Sequence, residues 1–310
     1  MKNIFVVTAL LLGLLFGGFT TQACDKGCTM GGNYMGILPQ FNKHFVGMRY
    51  NTRSYTLTGT HTHMMNGMPH THSVITEEQY STMEAWGRFY PTRRIQLFAF
   101  VPYVMNRQTT NGSSIHQQGL GDISLMANYS LINTGDSAGH TFKHTLQVGG
   151  GAKLPTGAYG ARHNDEVLPA HMQAGSGSVD VLLNALYTVR YKQTGLSTDF
   201  TYRFNGEGKN RYQFGYRYSG STNLFYWHKA GAISLLPSAG LYYEKAKPDS
   251  YHDQHKMQGG GGALFSNLGL NAYYRNFAAG ATWQLPLAQQ NEQHITSANS
   301  RTQFSISYMF

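Results

Sequence analysis

The segment from His61 to Ser73 contains the residues best suited to chemistry. It reads His-Thr-His-Met-Met-Asn-Gly-Met-Pro-His-Thr-His-Ser, with four histidines and three methionines. Each His-x-His pair places two imidazoles on one side of an extended segment, spaced to share an ion. Imidazole suits Cu, Zn and Ni, whereas thioethers favour Cu(I). The segment therefore predicts a metal site, copper first and zinc second, made of His61, His63, Met64, Met65, Met68, His70 and His72.

Two weaker clusters of similar chemistry occur further along the chain. Residues 251–257 read Tyr-His-Asp-Gln-His-Lys-Met, and residues 163–172 begin with His-Asn-Asp-Glu and end with His-Met. Both fall in segments that we expect to be long outer loops, so a shared rim could collect metal ions. The alternative is a set of solvated histidines that bind nothing in the cell. The first of these clusters adds His252, His255 and Met257 to the candidate ligands.

Catalytic signatures are absent from the sequence. No G-x-S-x-G, H-E-x-x-H, G-x-G-x-x-G or P-loop pattern occurs, so we expect no enzymatic activity and no required cofactor, with Cu or Zn as the expected bound ions. Serine or aspartate beside histidine, as at Ser73 with His72 and Asp165 with His163, leaves a hydrolase as a minor alternative.

The composition of the 310 residues indicates a large antiparallel β protein. Charged residues make up only 13%, about half the usual ~25% of soluble domains, and aromatic residues also reach 13%. This aromatic content argues against disorder. Beyond the N-terminus, no apolar run approaches the ~20 residues that a membrane helix needs. The net charge of +9 is spread along the chain without a basic block, so no nucleic-acid partner is expected.

The N-terminus is typical of an exported protein. Residues 1–23 combine Lys2, an apolar stretch and small residues before a cleavage point, which predicts a Sec signal peptide. Residues 24–43 would then form a periplasmic segment, or a plug inside the lumen. Cys24 and Cys28 fit a local disulfide in an oxidising compartment, a metal-binding pair, or lipidation of Cys24.

Alternation of apolar and polar residues predicts the fold. In residues 122–131, for example, Ile123, Leu125 and Tyr129 alternate with Ser124 and Asn128. Such stretches are long enough for tilted transmembrane strands of ~9–11 residues. Long and short connections between them alternate, as in bacterial outer-membrane barrels. We therefore predict an all-β, transmembrane, antiparallel up-and-down β-barrel in residues 44–310, with about twelve strands at 44–56, 79–90, 94–106, 119–133, 141–155, 176–190, 195–204, 210–227, 231–245, 261–274, 277–288 and 300–310.

Three glycine-containing motifs carry a family resemblance. They are Gly-Leu-Gly-Asp at 119–122, Lys-Leu-Pro-Thr-Gly at 153–157 and Gly-Ser-Gly-Ser-Val-Asp at 175–180, and the chain ends on the aromatic Phe310. In this order they resemble the outer-membrane family named for the MetA pathway of phenol degradation, from about the third strand to the C-terminus. The resemblance implies an outer-membrane barrel that passes small molecules.

The inward faces of the predicted strands are charged. A wet, salt-bridged lumen is one consequence, and a barrel plugged by its own ion pairs is the other. The residues expected to face inward are Arg49, Arg53, Glu84, Arg88, Asp122, Lys143, Lys153, Asp180, Arg190, Asp199, Arg203 and Arg217.

The function expected from these features is a channel or transporter in the bacterial outer membrane for a small solute. The His/Met segment favours a transition-metal ion or its complex. The family resemblance favours a passive channel for small aromatic or hydrophobic molecules, and a surface-binding barrel with a closed lumen is the second alternative. The expected partners are outer-membrane lipid, the barrel assembly machinery and the small solute or metal ion, whereas the sequence does not define the oligomeric state.

Overall fold

The computed structural model describes residues 43–65, 68–134, 141–251, 255–256, 260–290 and 296–310, with the backbone alone for 60–65, 68–72, 255–256 and 290. The predicted signal peptide, the predicted plug segment up to residue 42, both cysteines, His252 and Met257 lie outside these ranges.

Twelve long strands form the main sheet. They are β1 (Phe45–Met65), β2 (Met68–Phe89), β3 (Ile95–Thr110), β4 (Ser124–Asn133), β5 (Phe142–Lys153), β6 (Asp180–Tyr191), β7 (Thr194–Phe204), β8 (Arg217–Tyr226), β9 (Ile233–Ala246), β10 (Gly261–Tyr274), β11 (Phe277–Gln290) and β12 (Arg301–Met309).

The sheet closes into a barrel. Each strand pairs antiparallel with its neighbours in the sequence, and β1 also pairs with β12, for example Phe45 with Met309. The prediction of a twelve-stranded up-and-down barrel is therefore confirmed. Short turns connect even strands to the next odd strand, so the start of β1 and the end of β12 lie together at the short-turn end of the barrel. In outer-membrane barrels this end faces the periplasm.

The two faces of each strand differ as the sequence predicts. On β4, Leu125 and Tyr129 are 48% and 42% exposed, whereas Met126 and Asn128 on the other face are buried. Exposed large apolar residues on other strands, such as Val181 and Ile306, continue the same outer band. The barrel thus presents an apolar exterior to lipid, and the buried charged side chains of its strands face the lumen.

Residues 57–78, which the strand prediction leaves as the connection between its first two strands, are wrongly predicted: β1 extends to Met65, β2 begins at Met68, and the two strands pair along this length. Alternating threonines at 56, 58, 60 and 62 are β-branched, which favours extended backbone. The short strand Thr296–Ala298 pairs with the other edge of β1, where Leu57 faces Thr296. The predicted loop at 107–118 is also mostly strand, since Ser113–Leu120 pairs with the outer half of β3.

Smaller elements cover the long-loop end. Two-residue strands at Tyr212–Gln213, Ser250–Tyr251 and His255–Lys256 form a separate sheet, and Arg162–His163 pairs with Glu166–Val167. A 3-10 turn spans Ala170–Met172. At the opposite, short-turn end, His228–Ala230 pairs with the start of β9. In the part of the chain that the structure describes, no helix has the length and apolarity needed to cross a membrane.

Candidate functional site

The backbone register brings the histidine positions of the β1–β2 hairpin together. His61 pairs with His72 and His63 with His70, and Met65 faces Met68 next to the tip. Because side chains alternate between the two faces of a strand, positions 61 and 63 lie on the same face of the ribbon, together with positions 72 and 70 opposite them. The sequence placed these residues in a loop, whereas the structure places them on a paired ribbon beyond the barrel.

The other predicted metal clusters do not converge in the described residues. His163 lies in an exposed hairpin, while His171 and Met172 are buried inside the barrel. His255 lies in a short strand that pairs with Tyr251, and its side chain is outside the described set. Among side chains that are described, no group of three or more His, Cys, Asp or Glu is placed to hold a metal ion.

Inward-facing side chains form three layers along the barrel axis. The layer nearest the short turns, which we call the inner apolar layer, consists of Phe45, Trp86, Phe98, Phe100, Met126, Phe225, Leu236, Tyr273 and Met309. The layer nearest the long loops, the outer apolar layer, consists of Tyr55, Tyr80, Leu168, Met172, Tyr242, Phe265 and Ala298. The order along β1, from Phe45 through Arg49 and Arg53 to Tyr55, shows that a charged layer lies between them.

The charged layer surrounds a cavity of about 220 Å³. Drug-sized ligands usually occupy ~300–1,000 Å³, so this space fits a smaller molecule, on the order of one aromatic ring. Its wall combines guanidinium and carboxylate groups with the rings of Tyr80, Phe214 and Tyr242 and the apolar surfaces of Val104 and Ala174.

The three sequence motifs meet on one side of this cavity. Lys153 Nζ lies 2.9 Å from Asp122 Oδ2 and 2.9 Å from Asp180 Oδ2. The backbone N–H of Ser176 donates to Asp122 at 2.8 Å, and the hydroxyl of Ser178 donates to Asp180 at 2.9 Å. Because one ammonium serves two buried carboxylates, the motifs form a single electrostatic unit at the level where β5 ends and β6 begins.

The glycines of these motifs allow their backbones to touch. A Cβ on Gly157 would lie 2.7 Å from Gly175 Cα and 2.8 Å from the carbonyl carbon of Gly121. Any side chain at these contacts would collide with backbone, which explains why each motif contains glycine. The close approach fixes residues 154–179 against the barrel wall.

Residues 168–174 fold from the wall into the lumen. Met172 is fully buried, and its carbonyl accepts a hydrogen bond from Asn106 Nδ2 at 3.1 Å. His171 Nε2 lies 3.2 Å from Glu78 Oε1, and Gln173 Nε2 donates to the Leu168 carbonyl at 2.8 Å. This inward segment therefore covers the cavity on the long-loop side.

Two further ion pairs lie inside the lumen. Arg301 binds Glu244 with both terminal nitrogens, at 3.0 and 2.6 Å, and also donates to the Tyr55 hydroxyl at 3.0 Å. Arg49 Nη2 lies 2.5 Å from Glu84 Oε1 and its guanidinium stands 4.9 Å from the centre of the Trp86 ring. The Arg301 pair joins the non-adjacent strands β12 and β9, the Arg49 pair joins the neighbouring strands β1 and β2, and both guanidinium groups line the cavity.

Eight of the twelve residues predicted to face inward line the cavity, and Arg88, Lys143, Arg190 and Asp199 do not. Sequence reasoning missed Glu78, His171, Glu244 and Arg301, which contribute to the lumen. Continuing the alternation of β2 beyond residue 79 would have found Glu78. The position of His171 depends on the inward segment, for which the sequence carries no periodic signal.

The long-loop end contains a half-buried tyrosine outside the barrel strands. Tyr212 donates from its hydroxyl to Asp249 Oδ2, which joins the loop after β7 to the loop after β9. Burial and then the charge of Asp249 raise the pKa of Tyr212 well above its usual range. The phenol therefore stays protonated and keeps donating at physiological pH.

The closed ring with an apolar exterior defines a transmembrane β-barrel of the outer-membrane type. The fold is similar to that of an outer membrane channel from Pseudomonas putida F1, at 15% identity and a TM-score of 0.62, covering 91% of this chain and 99% of that chain. It is also similar to the beta domain of the Bordetella autotransporter BrkA, at 11% identity and a TM-score of 0.52, covering 87% and 100%. At these identities the similarity shows the fold alone. No curated protein matches the sequence.

The family model described as "Putative MetA-pathway of phenol degradation" matches residues 71–286, more than two thirds of the chain. The chain therefore belongs to this family, and the resemblance drawn from the three motifs is confirmed.

Proposed function

We propose that the protein is a passive outer-membrane channel for small aromatic or other weakly polar molecules. The inner apolar layer is the observation that carries this proposal. It fills the lumen at the short-turn end with nine buried side chains, six of them aromatic. A hydrophobic constriction excludes water and hydrated ions by dewetting. An apolar ring can pass through it, because it contacts one apolar side chain after another without losing bound water.

Because of this layer, we favour small aromatic molecules over transition-metal ions as the solute, the reverse of the order expected from the sequence. A hydrated metal ion would have to lose its water to pass Phe98, Phe100 and Trp86, and the described residues there offer no ligand set in exchange. A ring of the size of phenol fits the cavity volume of about 220 Å³ and can stack on the aromatic groups around it. Membership in a family named for phenol degradation supports the same solute class.

Entry of labelled phenol into bacterial cells that lack general porins tests the proposal. Cells producing the protein should take up phenol faster than cells without it, while uptake of a disaccharide should not change, because the cavity is too small. Thr82 lines the cavity, so Thr82→Trp should fill it and abolish most of the gain. Its neighbour Met83 is 44% exposed on the lipid face, so Met83→Trp is the matched control and should leave uptake unchanged. Equal phenol uptake by wild type and Thr82→Trp would contradict the proposal.

A separate proposal concerns the β1–β2 hairpin. Its register brings the positions of His61, His63, His70 and His72 together in two cross-strand pairs, whose Cβ atoms are typically ~4.5–5.5 Å apart. We propose that this ribbon binds Cu(I) or Zn²⁺ independently of the channel. Replacing the four histidines by alanine should abolish Zn²⁺ binding in calorimetry and leave residual Cu(I) binding. Unchanged Zn²⁺ binding would contradict this proposal.

A further inference from the structure

Two inward-facing arginines stand directly opposite each other on the cavity wall. Arg203 on β7 pairs with Arg217 on β8 in the strand register, and both line the cavity. Asp180 attracts Arg203, whereas Arg217 and Arg53, which reaches the same space from β1, repel it. Like charges at directly opposed positions destabilise a sheet. The arrangement concentrates positive charge on this part of the cavity wall.

Arg217 has hydrogen-bonding capacity that the protein does not use. Its Nε and Nη1 atoms are buried without a hydrogen-bond partner among the described residues. The nearest carboxylate oxygen in an ion pair, Asp249 Oδ1, is 4.0 Å from Nη2 and already accepts the N–H of Gly215 at 2.8 Å. Two donor atoms of the Arg217 guanidinium thus have no acceptor among the described residues, and an ionised carboxylate is an acceptor that guanidinium groups bind strongly.

The cavity wall carries more positive than negative side chains, which also favours an anionic ligand. The six cationic side chains that line the cavity are Arg49, Arg53, Lys153, Arg203, Arg217 and Arg301, whereas the carboxylates that line it are Glu84, Asp122 and Asp180. Each of these carboxylates is held in an ion pair with Arg49 or Lys153. Glu244 and Asp249 contact Arg301 and Arg217 without lining the cavity, and cations still outnumber carboxylates when both are included.

The apolar part of the wall indicates that the ligand also has an apolar body. The Arg217 guanidinium stands 5.5 Å from the centre of the Phe214 ring, and Val104 and Ala174 also line the space. One ring would fill much of about 220 Å³ and leave its charged substituent at the arginines. The cavity is therefore suited to a small anion with an apolar body.

We infer that the cavity binds single-ring organic carboxylates, with the carboxylate held by Arg217 and Arg203. This inference rests on the proposed channel function and narrows its solute class from aromatic molecules in general to those with an anionic group. The neutral alcohol of the same shape should bind much more weakly, because it leaves the arginine donors without an ionised acceptor.

Binding of benzoate and benzyl alcohol to the detergent-solubilised protein tests the inference by calorimetry at low ionic strength. Wild type should bind benzoate at least about tenfold more tightly than benzyl alcohol, in line with a charge-assisted hydrogen bond. Arg217→Gln should weaken benzoate about tenfold and leave benzyl alcohol unchanged, while Arg217→Lys should fall between. Arg107→Gln removes the same charge from an exposed position on β3 and should have no effect.

Two results would overturn the inference. They are equal affinities of wild type for benzoate and benzyl alcohol, and equal benzoate affinities of Arg217→Gln and Arg107→Gln. If Arg217→Gln does not fold, the ratio of the two ligands in wild type decides alone. Phenol entry that remains sensitive to Thr82→Trp would then show that only the anion preference has failed, whereas loss of phenol entry as well would mean that the channel proposal has failed.

Discussion

Replacing Lys153 by methionine should destabilise the barrel by about 3–5 kcal/mol, the usual effect of removing one partner from a buried ion pair. Lys153 is 2% exposed and neutralises both Asp122 and Asp180, so its loss leaves two carboxylates in the lumen without their shared ammonium. The backbone amides of Gly157 and Ser176 also depend on this arrangement, because both donate to Asp122. The effect is measured as the free energy of unfolding in urea, with the folded fraction at each urea concentration read from the different mobilities of folded and unfolded barrel on unheated gels.

The matched control for this substitution is Lys229→Met, since Lys229 is fully exposed beyond β8. It should unfold at the wild-type urea concentration. Adding Asp180→Asn to Lys153→Met should recover part of the loss, because one of the two uncompensated charges is removed. Identical unfolding of Lys153→Met and Lys229→Met would show that the three motifs do not act as an electrostatic unit.

Gly175→Ala should open the lumen at the long-loop side. A Cβ at residue 175 would lie 2.6 Å from both the carbonyl carbon and the oxygen of Gly157, so backbone must move. The inward segment 168–174 directly precedes this contact, and its displacement would withdraw His171 and Met172 from the lumen. Single-channel conductance in planar bilayers should therefore rise from near zero to a value that is clearly measurable.

Gly119→Ala is the control for this prediction. It alters another motif glycine, but its Cβ would lie 3.6 Å from the Ala174 Cβ, an ordinary van der Waals contact. Its conductance should match wild type. If Gly175→Ala and Gly119→Ala conduct equally, the glycine contact does not hold the inward segment in place.

The twelve strands could be predicted from the sequence because a barrel wall imposes a strict period of two. Each strand contacts lipid on one face and the lumen on the other. The apolar Leu125 is therefore expected on the lipid face and the polar Asn128 on the lumen face, whichever strands lie next to β4. The same alternation identified Asp122, Lys153 and Asp180 as inward-facing before any contact among them was known.

Contacts across the lumen could not be predicted in the same way. Arg301 meets Glu244 because β12 and β9 face a common interior, and no sequence period relates those two strands. The position of the inward segment could not be predicted either, because its backbone is held by single hydrogen bonds, such as that from Asn106 to Met172, which leave no periodic pattern in the sequence. The length of the β1–β2 hairpin was missed because its histidines and methionines suggested a ligand loop instead of a paired ribbon.

The order of layers in the lumen sets the selectivity expected of the proposed channel. The outer apolar layer and the inner apolar layer enclose the charged layer on both sides. A solute must therefore be apolar enough to pass Phe100 and Trp86 and small enough for the cavity between them. A wide aqueous pore would instead require a polar wall along the whole lumen.

Crystals of the protein soaked with 4-bromophenol would locate the solute by the anomalous scattering of bromine. The layered lumen predicts one principal bromine position inside the cavity, near Val104 and Phe214, that disappears in the Thr82→Trp variant and persists in Met83→Trp. Bromine positions confined to the lipid-facing surface or to the β1–β2 hairpin, with none between the two apolar layers, would contradict a solute route through this barrel.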